Sequence, residues 1–253
     1  MAIAKPISRR GGLWLRALYM KPAFLWLTFI LARALVANGQ FGIIRDTDGY
    51  TNVRADSSTS AKIIGQLHDG DVFTSTYNCH GWVKVYYEPD EFTDKGYFEG
   101  YIYQDRLLSI EDLQHLPKNG RTLVEGHLTL HNDSVTVDLR TAPFQPKQHV
   151  IRKDKDGQVQ KIDNKTFLGT DGSMPDQKLT SLRMTIRGNA VDIPAAAWND
   201  VYEAHLTTCN VFFDTSTGFI YVYMPSCGDD AGAYEIVWIF KNGRYVKRYV
   251  GGF

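Results

Sequence analysis

An excess of charge of either sign is absent from this chain: Lys plus Arg and Asp plus Glu are each 28, for a formal net charge of zero. A dedicated nucleic-acid binder carries an electropositive bias, so nucleic acid is not expected as a partner. Cysteine is scarce at 3 residues, enough for at most one disulfide; Cys209–Cys227 is the candidate pairing in an exported protein and would leave Cys79 free. A long apolar run is missing too. The stretch Pro22 to Ala32 is uncharged, but Arg33 closes it well short of the roughly 20 residues a membrane span needs. No Gly-rich phosphate loop, no Gly-x-Ser-x-Gly elbow and no dinucleotide fingerprint occurs, so the chain has no nucleotide or serine-hydrolase signature.

What is present points to strands. The hydrophobic fraction is 43% and the charged fraction 22%, near globular averages, so a folded core is expected. Tyr at 14 and Phe at 13 stand beside many Thr and Val, side chains that pack on half-buried pleated surfaces. The expected class is mainly β. At about 100 to 200 residues per domain, 253 residues fit two domains or one domain with a leader.

The start of the chain reads as a leader over residues 1–39. Lys21 precedes the apolar run and the small residues Ala37-Asn38-Gly39 follow it, the layout of a secretory signal peptide, with cleavage expected after Ala37 or Gly39. Met20-Lys21-Pro22 would open a leader of ordinary length, so Met20 is a candidate true start. Ser8-Arg9-Arg10 also offers a twin-arginine reading, though Gly11 and Gly12 follow where an apolar residue is usual. No Cys lies near the cleavage region, so a lipid anchor is not expected. The expected location is periplasmic or secreted, with membrane contact only transient, through the signal peptide.

From Asp46 onward, polar turn clusters separate short apolar runs. Asp48-Gly49 and Asp69-Gly70 are turn dipeptides, and Gly81 to Tyr86 and Glu99 to Tyr103 alternate as strands do. The ordered elements Gly49-Tyr50-Thr51-Asn52-Val53-Arg54, Ile63-Ile64-Gly65-Gln66-Leu67, Gly70-Asp71-Val72-Phe73, Gly81-Trp82-Val83-Lys84-Val85 and Gly100-Tyr101-Ile102 leading to Arg106-Leu107 resemble the bacterial SH3 domain family. Residues 42–110 are assigned to it. A longer polar insertion, Glu88 to Gly96, departs from the pattern. The resemblance implies a small SH3-like β-barrel in an envelope protein, binding peptidoglycan peptide or an envelope protein. The interior of so small a barrel is filled by side chains, so a ligand must dock outside or on the rim. Tyr50, Trp82, Tyr86, Tyr101 and Tyr103 are the candidate ligand contacts, against the competing reading that alternation sends about half of them, Trp82 foremost, into the core.

Residues 120–253 are expected to form a second, mostly antiparallel β domain with one helix, beyond a short helical turn that ends at Pro117. Strands flank Asn132-Asp133. Val211 to Asp214, Phe219 to Met224, Tyr234 to Phe240 and Arg244 to Val250 form a meander closed by the Asn242-Gly243 hairpin. The helix is placed at 193–206, where Pro194 suits a first turn and Trp198, Val201, Tyr202 and His205 recur at helical steps. Gly228 to Trp238 and the closing hairpin resemble the uncharacterised extension of exported proteins carrying this barrel, which implies no activity.

No catalytic residues and no cofactor are assigned. Pro225-Ser226-Cys227-Gly228-Asp229 lacks the Asp-Cys-Ser-Gly pattern of cell-wall cysteine endopeptidases, and Cys209 has no motif around it. His127 and His131 share a face if strand-borne but stand roughly 13 Å apart, too far for one metal. His149 and His205 have no surrounding motif, and Asp154/Asp156-Gly157 and Asp229-Asp230 are incomplete as calcium loops, so no metal site is assigned. Three functions remain open. A binding protein of the envelope leads, followed by a periplasmic immunity or inhibitor protein that neutralises a toxin or enzyme, then a wall hydrolase with an unrecognised catalytic domain.

Overall fold

The structure, a computed structural model, describes residues 40–87, 98–225 and 232–251. The leader, the Glu88 to Gly96 insertion, Cys227 and Asp229-Asp230 lie outside them. Tight turns at polar-Gly pairs organise the first sheet. Its strands are β1 (Gln40–Ile44), β2 (Tyr50–Arg54), β3 (Ile63–His68), β4 (Val72–Cys79), β5 (Trp82–Tyr87), β6 (Phe98–Tyr103) and β7 (Leu107–Ser109), in the order β3-β2-β6-β5-β4-β1-β7. Between β4 and β5, His80 at φ 50 and Gly81 at φ 86 form a two-residue turn whose twist matches that of its strands. Alternation then sorts the faces. On β2, Thr51 and Val53 are buried while Tyr50, Asn52 and Arg54 point away.

A third sheet holds the molecule together. The second is β15-β14-β11-β10-β9, built from β9 (Arg121–Val124), β10 (His127–His131), β11 (Val135–Pro143), β14 (Gln177–Ile186) and β15 (Asn189–Ala190), beside the small hairpin of β12 (Ile151–Lys153) and β13 (Val159–Ile162). The third is β19-β18-β17-β16-β8, from β8 (Gln114–His115), β16 (Asn210–Asp214), β17 (Phe219–Pro225), β18 (Glu235–Lys241) and β19 (Arg244–Gly251). On β18, Ile236, Trp238 and Phe240 enter the core shared with the second sheet, while Val237 and Ile239 enter the core of the first. The contiguous run Ile236 to Phe240 is that of a strand buried on both faces. Residues 39–253 accordingly form one compact unit.

Polar contacts fasten the first sheet to the third. Asp214 pairs with Arg45, Lys247 with Asp71, and the Tyr249 hydroxyl accepts from the Thr74 amide at 3.1 Å. Gly70 gives the closest apolar approach: a Cβ there would lie 2.2 Å from the Phe219 ring.

The helix expected at 193–206 is not formed. Only Ala195–Ala197 and Leu206–Thr208 make single 3-10 turns, and Glu203 sits at φ 49. The backbone bonds that a helix would keep inside itself go elsewhere: Tyr202 N donates to Leu168 O at 3.0 Å, and Leu179 N to Val201 O at 2.9 Å. Asp200 is buried in a two-pronged ion pair with Arg248, at 2.7 Å through each nitrogen. Trp238 Nε1 and Arg248 both donate to Ala197 O. Tertiary partners have overridden local propensity.

Candidate functional site

β2 and β6 are paired through Arg54 and Tyr101 alone. Residues of both strands beyond that pair line a cleft of about 390 Å³. Strand alternation supplies its aromatic walls, with Tyr50 from β2 and Tyr103 from β6, 40% and 44% exposed. Trp82 stands opposite Tyr103 in the β5–β6 register and meets it edge to face, ring centroids 5.5 Å apart. Gly81 makes room for this pair. Its φ is +86, and a Cβ would lie 3.0 Å from the Tyr103 ring.

Charged residues are divided between the two ends of the cleft. Before β2, the buried Asp46 carboxylate accepts from the Asp48 amide at 3.1 Å and from Arg106 Nη1 at 2.7 Å. Arg106 Nε also reaches Asp105 at 3.1 Å. The Asp46 charge, with a smaller contribution from Asp105, raises the Arg106 guanidinium above its ordinary value. At the other end of β2, Arg54 Nη1 donates to the Ala61 carbonyl at 2.8 Å. Among the described residues neither the Asp48 carboxylate nor the Arg54 guanidinium has an ion-pair partner.

Three of the five candidate contacts, Tyr50, Trp82 and Tyr103, therefore line one cleft. Tyr86 and Tyr101 do not. Tyr86 lies under Lys84 Nζ at 5.2 Å, and its carbonyl accepts from Tyr249. Tyr101 pairs with Lys84 and Arg54 across the sheet. Sequence reasoning missed Asp46, Asp48, Arg54, Asp105 and Arg106. Alternation from Tyr50 would have placed Arg54 on the same face, but the approach of Arg106 to Asp46 spans sixty positions and has no local signal.

Elsewhere, His127 bonds Asp138. Burial opposes the charge of Asp138, but hydrogen bonds from His127 and Arg140 outweigh it and hold the carboxyl below its usual range. His149 Nδ1 meets Asp163 at 2.6 Å and Nε2 meets Lys178 Nζ at 3.2 Å, with Phe144 stacked on the ring. The Asp154 carboxylate is taken up by its own turn, accepting from the Asp156 and Gln158 amides. Cys209 is fully buried, and burial pushes its thiol up to about 12; the expected pairing with Cys227 involves a residue outside the described ones. Among the described residues no three His, Cys, Asp or Glu side chains group as a metal site, and no helix is long and apolar enough to cross a membrane.

Residues 49–107 match the family model of the bacterial SH3 domain. The match contains Tyr50, Arg54, Trp82, Tyr103, Asp105 and Arg106, most of the cleft, and stops short of the second and third sheets. No curated protein and no solved structure matches the chain.

Proposed function

We propose that this protein, whose residues 49–107 carry a bacterial SH3 domain, is an exported binding protein of the cell envelope that takes a peptidoglycan peptide into the Tyr50–Trp82–Tyr103 cleft. Bacterial SH3 domains are in general modules that bind peptidoglycan or protein. The observation that carries the reading is the convergence of three aromatic rings on one concave site with unpaired charge at both ends. Such rings offer contact area at small entropic cost. A concave cleft of about 390 Å³ suits a short segment better than the flat face of a folded partner. The reading is recognition without bond cleavage. Export rests on the leader sequence.

The test is retention of mature protein, beginning at Gln40, on purified sacculi. Tyr50→Ala and Tyr103→Ala change exposed rings and are expected to cut retention about tenfold or more together, as central aromatic contacts do. Tyr86→Ala and Tyr101→Ala are expected to stay within about twofold of wild type. Equal retention of the cleft variants would overturn the site, and no retention of wild type would overturn the wall as partner. Export is checked by fractionation and N-terminal sequencing, expected to find Asn38 or Gln40 first. An intact leader on cytoplasmic protein would overturn it.

A further inference from the structure

The charges at the cleft are sorted along its length. Asp48 lies just before β2, and the Asp46 and Asp105 carboxylates gather there around the single guanidinium of Arg106. Arg54 stands at the far end of β2 without a carboxylate, held only by a carbonyl. Tyr50 and Arg54 are four strand residues apart, roughly 13 Å. The rings of Trp82 and Tyr103 lie between these ends in sequence register, because Arg54 pairs with Tyr101 and Tyr103 is two residues farther along the same face.

We infer that the cleft reads a short zwitterionic peptide segment in one direction, its free ammonium at the Asp48 end and its carboxylate at Arg54. This rests on the proposed peptide-binding function and deepens it. An ammonium entering the acidic end meets an unpaired carboxylate and the Tyr50 ring, and cations are attracted to aromatic faces within about 6 Å. A carboxylate at the other end meets a planar guanidinium with N–H groups to spare, the geometry that suits paired hydrogen bonds. An extended tetrapeptide spans at most about 14 Å, close to the Tyr50–Arg54 separation along β2. A ligand with one charge alone would leave either Asp48 or Arg54 unanswered.

The experiment titrates the mature protein with tetra-alanine in four forms, with free ends, N-acetylated, C-amidated and blocked at both ends, following ring-proton shifts of Tyr50 and Tyr103. The free form is expected to bind best, and each block to weaken binding about tenfold, one well-formed charge contact. Asp48→Asn is expected to remove the penalty for acetylation and leave that for amidation. Arg54→Gln is expected to do the reverse. Both variants keep size and hydrogen-bonding groups, and an unchanged amide spectrum confirms their fold. Equal affinity for all four forms would overturn the charge readout while leaving the cleft as a peptide site. Retention on sacculi with no tetra-alanine bound in any form would overturn the short-segment inference and leave wall binding standing. Loss of both would overturn both.

Discussion

Asp214 illustrates how one side chain can tie the first sheet to the third. It is 5% exposed, and burial opposes its charge. Hydrogen bonds from the Ser216–Thr217 turn and from Arg45 prevail and hold its carboxyl below the ordinary value. A carboxylate lowered in the folded state gives stability that is present above its unfolded value, about 3.9, and is lost as pH falls through the folded value. Asp214→Asn is therefore expected to cost about 2 kcal/mol at pH 7. The gap to wild type should close below about pH 4; a pH series of urea midpoints checks it. Gly81→Ala addresses the cleft. With φ at +86 and the Tyr103 ring in the way, the variant is expected to lose about 1 kcal/mol or more and to weaken ligand binding by moving Tyr103. Calorimetry and the tetra-alanine titration read the two effects separately. Cys209, buried and with its thiol raised to about 12, is expected to resist Ellman's reagent in a Cys79→Ser, Cys227→Ser background until denaturant is added.

Among the elements, β18 is the one whose loss would be felt on both sides. Trp238 is fully buried and its indole N–H donates to Ala197 O at 2.7 Å. Trp238→Ala is expected to cost about 3–5 kcal/mol by denaturant unfolding. Val246→Ala on neighbouring β19, at a side chain 48% exposed, should stay within about 0.5 kcal/mol. The hairpins were legible because their turn chemistry is local: Asn242 at φ 51 and Gly243 at φ 78 adopt the conformation their residue types favour. The segment 193–206 was misread for the opposite reason. Its apolar spacing satisfies a helix, but Trp198, Val201 and Tyr202 are placed by contacts to distant segments, and Leu168 and Leu179 claim the backbone.

For the molecule as a whole, the shared cores set the unit of stability. Phe212, Phe219, Tyr221, Val237, Ile239 and Tyr249 of the third sheet are buried in one core with Val53, Leu67, Phe73 and Ile102 of the first. Residues 40–113 expressed alone would expose that apolar surface. They are expected to bind a hydrophobic dye and show no cooperative melt, while residues 40–253 melt in a single calorimetric transition. Two separated transitions would show that the bacterial SH3 domain is stable without its neighbour. The cleft rings Tyr50, Trp82 and Tyr103 take no part in this core, so the packing leaves the site open.

Taken alone, the sequence determined what local rules control: a mainly β chain, the family resemblance over its first part, and the turns. Period-2 alternation and the positive φ of glycine act within a few residues and can be read there. Only the tertiary structure decided which of the five aromatics meet, where Asp46, Asp48, Arg54 and Arg106 stand around them, and that the third sheet serves both its neighbours. Those outcomes depend on pairings between residues far apart in the chain, such as Arg106 with Asp46 and Asp214 with Arg45, which no local periodicity encodes.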